Sequence, residues 1–124
     1  MQRISTGSPM EEALGYSRAV VKGGWCFVSG VTGYDYASME MPEDVASQAR
    51  NCVATIEGVL AEAGFALADV VRVTYILTDI ADMEAVRPVL RATLGEARPA
   101  ATLLVAGLAR PEMKIEIEVT AFRG

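Results

Sequence analysis

The sequence predicts a single α+β domain, and three observations carry that prediction. The 124 residues show no composition break, and their number is about that of one domain. Hydrophobic residues make up 52% against 22% charged, which suits a packed core and argues against disorder. The hydropathy pattern also switches between the two-residue alternation of strands and the 3.6-residue spacing of helices.

The first 14 residues mix Gly, Ser, Pro and charge and are expected to form a loose arm. Ser17 to Lys22 and Trp25 to Ser29 are short β-branched and aromatic runs separated by Gly23-Gly24. That pair suits a type I′ hairpin turn, which needs positive φ at both central residues. Gly30 to Met41 reads as a loop. Pro42, Glu43 and Asp44 then suit the start of a helix. Val45, Ala49, Cys52, Val53, Ile56, Val59, Leu60 and Ala63 recur at helical spacing, and Gly64 supplies a C-terminal stop. The expected helix is about 20 residues long.

From Asp69 to Thr78 the chain alternates, with Val71, Val73, Tyr75 and Leu77 on one face and Arg72, Thr74, Ile76 and Thr78 on the other. With the preceding hairpin strand and long helix this makes a crossover unit. Asp82 to Leu94 reads as a second helix that Pro88 should bend or divide. Thr102 to Ala106 and Lys114 to Phe122 read as strands joined around Arg110-Pro111. The predicted order is ββαβαββ, a mixed sheet with two helices on one face. Its uncovered face still carries apolar groups such as Ile76, so self-association is expected.

The net charge of −5, with Lys22 and Lys114 the only lysines, argues against nucleic acid as a partner. Arg87 and Arg91 read as solvated helix surface. Histidine is absent, which removes histidine triads, imidazole bases and histidine metal ligands. Cys26 and Cys52 are too few and too far apart for a zinc site or a CxxC pair, and each reads as a buried thiol. Cys26 has the alternative of lining a pocket. No metal or cofactor is expected. No stretch has secretory length or nears the roughly 18 apolar residues of a membrane span, so the expected location is the cytoplasm, without membrane contact.

Several short segments, in order, resemble the RidA (YjgF, endoribonuclease L-PSP-like) family. They are Gly15-Tyr16-Ser17-Arg18-Ala19-Val20, Phe27-Val28-Ser29-Gly30, Gln48-Ala49-Arg50, Asp69-Val70-Val71 with Thr78-Asp79, and Ile115-Glu116-Ile117-Glu118. The resemblance implies a chorismate-mutase-like α+β fold in a homotrimer, with small-molecule pockets in clefts between subunits. Active members of that family hydrolyse enamines and imines such as 2-aminoacrylate to a 2-keto acid and ammonia. The resemblance also assigns Glu116 as the pocket glutamate that positions water. By the residues alone, Glu116 is equally an ordinary polar group on a sheet face, paired with Arg72 or water. Tyr16 would offer a ring wall and a phenolic donor, or would simply pack the hairpin. Ser17 accompanies it, and Gly30 would permit close backbone approach or end its strand.

One departure bears on the chemistry. Active members carry an arginine in a Pro-Ala-Arg-Ser stretch, whose planar guanidinium grips a carboxylate with two bonds. Here the stretch is Pro99-Ala100-Ala101-Thr102, so Ala100 or Ala101 takes the arginine's place. Arg98 and Arg18 are candidates for a displaced grip, or else solvated or structural. Three readings follow. One is an arginine-less relative that binds, and in one version hydrolyses, a small imine, enamine or amide. The second is a non-catalytic binding or scaffold trimer, and the third a 2-imino-acid deaminase using a displaced arginine.

Overall fold

The computed structural model describes all 124 residues, Met1–Gly124. Nine elements follow one another: β1 (Gln2–Ile4), α1 (Pro9–Leu14), β2 (Ala19–Lys22), β3 (Trp25–Thr32), α2 (Val45–Ala63), β4 (Val70–Leu77), α3 (Met83–Leu94), β5 (Ala100–Val105) and β6 (Ile115–Phe122). Single 3₁₀ turns at Leu67–Asp69 and Ile80–Asp82 lead into β4 and α3. The expected ββαβαββ order is therefore present, with one strand and one short helix in front of it.

All six strands join one mixed sheet in the order β1-β2-β3-β6-β4-β5. Only β4 and β5 are parallel; every other neighbouring pair is antiparallel. The crossover from β3 through α2 to β4 leaves a gap that β6, the last strand, fills. α2 packs on β3 and β6, and α3 packs on α2, so both long helices cover the same face.

The first 14 residues are not a loose arm. β1 pairs with β2, setting Gln2 opposite Val21 and Ile4 opposite Ala19, and buries Ile4. Ser8 caps α1 by accepting from the Met10 N–H, Pro9 follows it, and Gly15 ends the helix with φ +73°. In the hairpin only Gly23 has positive φ, at +58°. That is the type II′ pattern rather than I′. A Cβ on Gly24 would lie 2.5 Å from the Arg123 carbonyl oxygen, so its glycine is needed for close packing.

α2 begins at Val45, three residues after Pro42, because the Asp44 side chain accepts from the Ser47 N–H at 2.9 Å and takes the cap. Its buried stripe is the predicted one with Gln48 added and without Ala63, which is only half-buried. Each fully buried aliphatic there, Ile56 or Leu60, contributes about 1.5–3 kcal/mol relative to exposure. Pro88 does not divide α3, which runs as one helix around it. In β4 a bulge between Val70 and Arg72 changes the expected facing. Val70 is buried and Val71 is exposed, while Val73 and Leu77 keep the covered side. The opposite face is bare and carries an exposed aromatic group in which Trp25 stacks with Phe27 and packs on Phe122, ring centroids 6.1 and 4.5 Å apart.

Candidate functional site

The structure gathers three of the residues singled out above. Tyr16, Gly30 and Glu116 line one cavity of about 70 Å³, walled further by Thr32, Tyr34, Tyr36 and Met113. Thr32 of β3 lies opposite Glu116 of β6, and a bulge between Val28 and Val31 brings the Gly30 backbone against the carboxylate. A Cβ at Gly30 would stand 2.7 Å from Glu116 Cδ. Gly30 thus serves close approach rather than strand termination.

Glu116 makes no ion pair. Arg72, the partner considered for it, lies opposite Thr120 instead, four residues along β6. Burial raises the Glu116 pKa above its ordinary value; the nearby Arg18 charge opposes this and Glu118 adds to it. A partly dry carboxylate of this kind can accept a proton from water near neutral pH.

Of the roles left open for Arg18, the structure shows the structural one. Arg18 is 1% exposed and is neither solvated nor free to grip a ligand. Its Nη1 donates to the Gly30 carbonyl at 2.6 Å and to the Ser29 carbonyl at 3.4 Å, and Nη2 donates to the Tyr16 hydroxyl at 3.3 Å. The guanidinium lies 5.6 Å from the Tyr16 ring centroid and 5.1 Å from that of Tyr36, within cation–π range. Its Nε has no hydrogen-bond partner and stands 3.8 Å from the buried Glu11 carboxylate. The Glu11 carboxylate also accepts two bonds from Thr6. Burial works to raise its pKa, but the Thr6 and Ser5 bonds with the Arg18 charge prevail and hold it low. Arg18 therefore fixes the Gly30 backbone on which Glu116 rests.

One cavity wall, Tyr34, and one supporting residue, Gln48, were given no role by the sequence. Tyr34 donates to Glu112 at 2.5 Å, and burial with that bond pushes its pKa up to about 12. Its hydroxyl therefore stays protonated. Fully buried Gln48 donates to the Pro42 and Glu112 carbonyls and accepts from the Lys114 N–H. It ties α2 to the segment that enters β6. The glutamine's place on the apolar stripe of α2 was the available signal.

The other singled-out residues lie elsewhere. Ser17 borders a shallow N-terminal depression and accepts from the Ser29 hydroxyl at 2.7 Å. Ala100, Ala101 and Thr102 are exposed on β5, two strands from β6, or about 10 Å across the sheet. Within one chain they do not meet Glu116. Ala100 and Thr102 share a face with Arg72 and Thr74, whereas Ala101 lies level with Val73 and points toward α3. Arg98 is exposed at φ +46°, its N–H closing the end of α3 on the Leu94 carbonyl. Both cysteines are free and fully buried. Cys52 donates to the Val31 carbonyl, and burial first of all lifts its pKa far above the ordinary thiol value. No group of three or more metal-ligating side chains stands together, and no helix is long and apolar enough to cross a membrane.

A mixed six-stranded sheet with both long helices on one side, and a tyrosine-walled carboxylate beside a bulged strand, define a recognisable class of α+β protein. The family model described as Endoribonuclease L-PSP matches residues 6–123, and the chain belongs to that family, also called YjgF or RidA. The crystal structure of Rv2704 from Mycobacterium tuberculosis, a member of the YjgF/YER057c/UK114 family, superposes with a TM-score of 0.89 at 37% identity over 98% of both chains. Escherichia coli TdcF with bound serine gives a TM-score of 0.81 at 28% identity over 88% of both chains. The 2-iminobutanoate/2-iminopropanoate deaminase of Capra hircus is 33% identical over 100% of this chain and 92% of its own.

Proposed function

We propose that this chain forms a cytoplasmic homotrimer that binds a small imine, enamine or amide-like metabolite in its inter-subunit clefts and hydrolyses it. The observation that carries the reading is the half-buried Glu116 carboxylate held against the Gly30 backbone, its pKa raised by burial. Glu116 takes a proton from water as the water oxygen bonds to the C=N carbon and the C=N electron pair moves to nitrogen, to which Glu116 then passes that proton. The resulting carbinolamine expels ammonia and leaves a carbonyl; an enamine first takes up a proton at carbon to become the imine. The similarity to an iminobutanoate deaminase and to a serine-binding relative supports a small nitrogenous ligand. The family description also names endoribonuclease activity, but the −5 charge and the absence of histidine favour the small-molecule reading.

The 70 Å³ cavity has room for only a few waters and falls well short of the roughly 300 Å³ of a whole ligand pocket. Another copy must complete it, and the bare aromatic face supports that assembly. Light scattering at micromolar concentration should give three times the 13.2 kDa chain mass; a monomer would sink the trimer and the shared cleft together.

The decisive assay generates 2-aminoacrylate or 2-iminobutanoate in situ and compares ammonia release with and without the protein. Faster release supports the hydrolase. The sealing of Arg18 and the exposed, distant place of Arg98 favour a second reading, a binding trimer without chemistry. Saturable ligand binding with no acceleration would select it.

A further inference from the structure

Glu116 has a different neighbour on each side of its strand. On β4 it lies level with Ile76, and on β3 with Thr32. Residues directly opposite across an antiparallel pair share a face, with Cβ atoms about 4.5–5.5 Å apart. Thr32 is therefore the polar group set beside the carboxylate across the sheet, and both line the same cavity. Thr32 is only 4% exposed. A β-branched aliphatic would fill that place as well, so a buried hydroxyl there calls for a reason.

The hydroxyl is held from behind. The Tyr36 phenolic oxygen accepts the Thr32 N–H at 3.1 Å and lies 3.2 Å from Thr32 Oγ1. A phenolic oxygen can take both hydrogens. When Thr32 Oγ1 donates to Tyr36 in this way, its own lone pairs are left for the cavity. Two acceptors, the Glu116 carboxylate and Thr32 Oγ1, then border a space of about 70 Å³, and one water takes up about 30 Å³. The other hydroxyls of the wall have other partners. Ser8 accepts the Met10 N–H, Tyr16 accepts from Arg18, and Tyr34 donates to Glu112.

We propose that Thr32 is a second catalytic residue, which with Glu116 holds the attacking water by its two hydrogens, and that Tyr36 is the positioning residue behind it. The inference rests on the hydrolase reading above and adds the geometry of the attack. One water hydrogen points to Glu116 and the other to Thr32 Oγ1, which turns an oxygen lone pair toward the C=N carbon. As that pair forms the C–O bond, the first hydrogen passes to Glu116 as a proton. The C=N pair moves to nitrogen, which then receives that proton. The second hydrogen stays on oxygen as the hydroxyl of the carbinolamine, so Thr32 changes neither charge nor protonation. Holding both hydrogens stops the water from rotating, an orientation effect on the chemical step rather than on binding.

Ammonia release from 2-iminobutanoate generated in situ, measured with the full chain, tests it. Thr32→Val keeps the shape and loses the hydroxyl, so kcat should fall about tenfold with KM unchanged. Thr32→Ser should recover most of the rate. In the Glu116→Gln background Thr32→Val should cost nothing further, because the two residues act on one water. Tyr36→Phe should lower kcat about threefold, a readout that stands whether or not the valine variant folds. A folded Thr32→Val protein with the wild-type kcat would overturn the proposal. So would a serine variant as slow as the valine one, losses that multiply in the double variant, or a Tyr36→Phe protein at full rate. No ammonia release by the wild-type protein would remove the hydrolase and this role together. Release that ignores Thr32 would remove the role and leave the hydrolase standing.

Discussion

Replacing Arg18 by leucine should destabilise the protein by about 3–5 kcal/mol, the usual cost of removing one partner of a buried ion pair, and lower the thermal midpoint by roughly 10 °C or more. The substitution leaves Glu11, 6% exposed, without its counter-charge. It also strips the donors from the Ser29 and Gly30 carbonyls and from the Tyr16 hydroxyl. Leucine fills much of the volume but offers no hydrogen bond, so polar groups desolvated on folding stay unpaired. Arg18→Lys should fall between, since a point charge keeps Glu11 company but reproduces neither the planar fork nor the stacking on Tyr16 and Tyr36. Differential scanning calorimetry at matched concentration measures this, and a midpoint within a degree of wild type for Arg18→Leu would refute the structural role. The pH dependence has a definite sign. The Glu11 pKa is lowered in the folded state from 4.5, so its contribution is full above that value and lost as pH falls through the lowered one.

Glu116→Gln should lower kcat for imine hydrolysis by about 10²–10⁴-fold while changing KM little, because the amide keeps the shape and loses the base. The wild-type rate should rise with pH through a value above the ordinary 4.5, since burial raises the Glu116 pKa and only the carboxylate accepts a proton. Stability runs the other way here. A group whose folded pKa is raised stabilises the fold below its unfolded value, and that contribution disappears as pH rises through the folded one. The glutamine variant should therefore be slightly more stable than wild type at neutral pH, a site residue traded against stability. Arg18 and Glu118 are the charges that act on Glu116, one lowering and one raising its pKa. Unchanged ammonia release by a folded Glu116→Gln protein would remove Glu116 from the chemistry.

Periodicity reveals an element when the element is long and half-buried. The α2 stripe from Val45 to Leu60 and the alternation of β6 are of that kind, and both read directly from the sequence. Three-residue β1 has no period to detect. The start of α1 did carry a signal, Ser8 followed by Glu11 at capping-box spacing, hidden inside a polar, Gly- and Pro-bearing stretch. Bulges also defeat alternation, and one extra residue between Val70 and Arg72 exchanged the faces of Val70 and Val71. For the candidate site, the sequence pointed to Tyr16, Gly30 and Glu116 as a set. It had no way to distinguish an arginine sealed between two tyrosines from one in solvent. Arg18 and Arg91 look alike in sequence, and only the packing separates a structural cation from a free one.

The outer edge of β5 has a consequence for the life of the chain in the cell. This strand pairs only with β4, and Ala-Ala-Thr-Leu-Leu-Val contains no charge, proline or glycine to guard its unpaired backbone. Leu104 and Val105 are 47% and 54% exposed. An isolated copy is thus a template for any other extended chain, and solitude is its hazardous condition. If the proposed trimer covers this edge, dilution that separates the copies should promote aggregation through it.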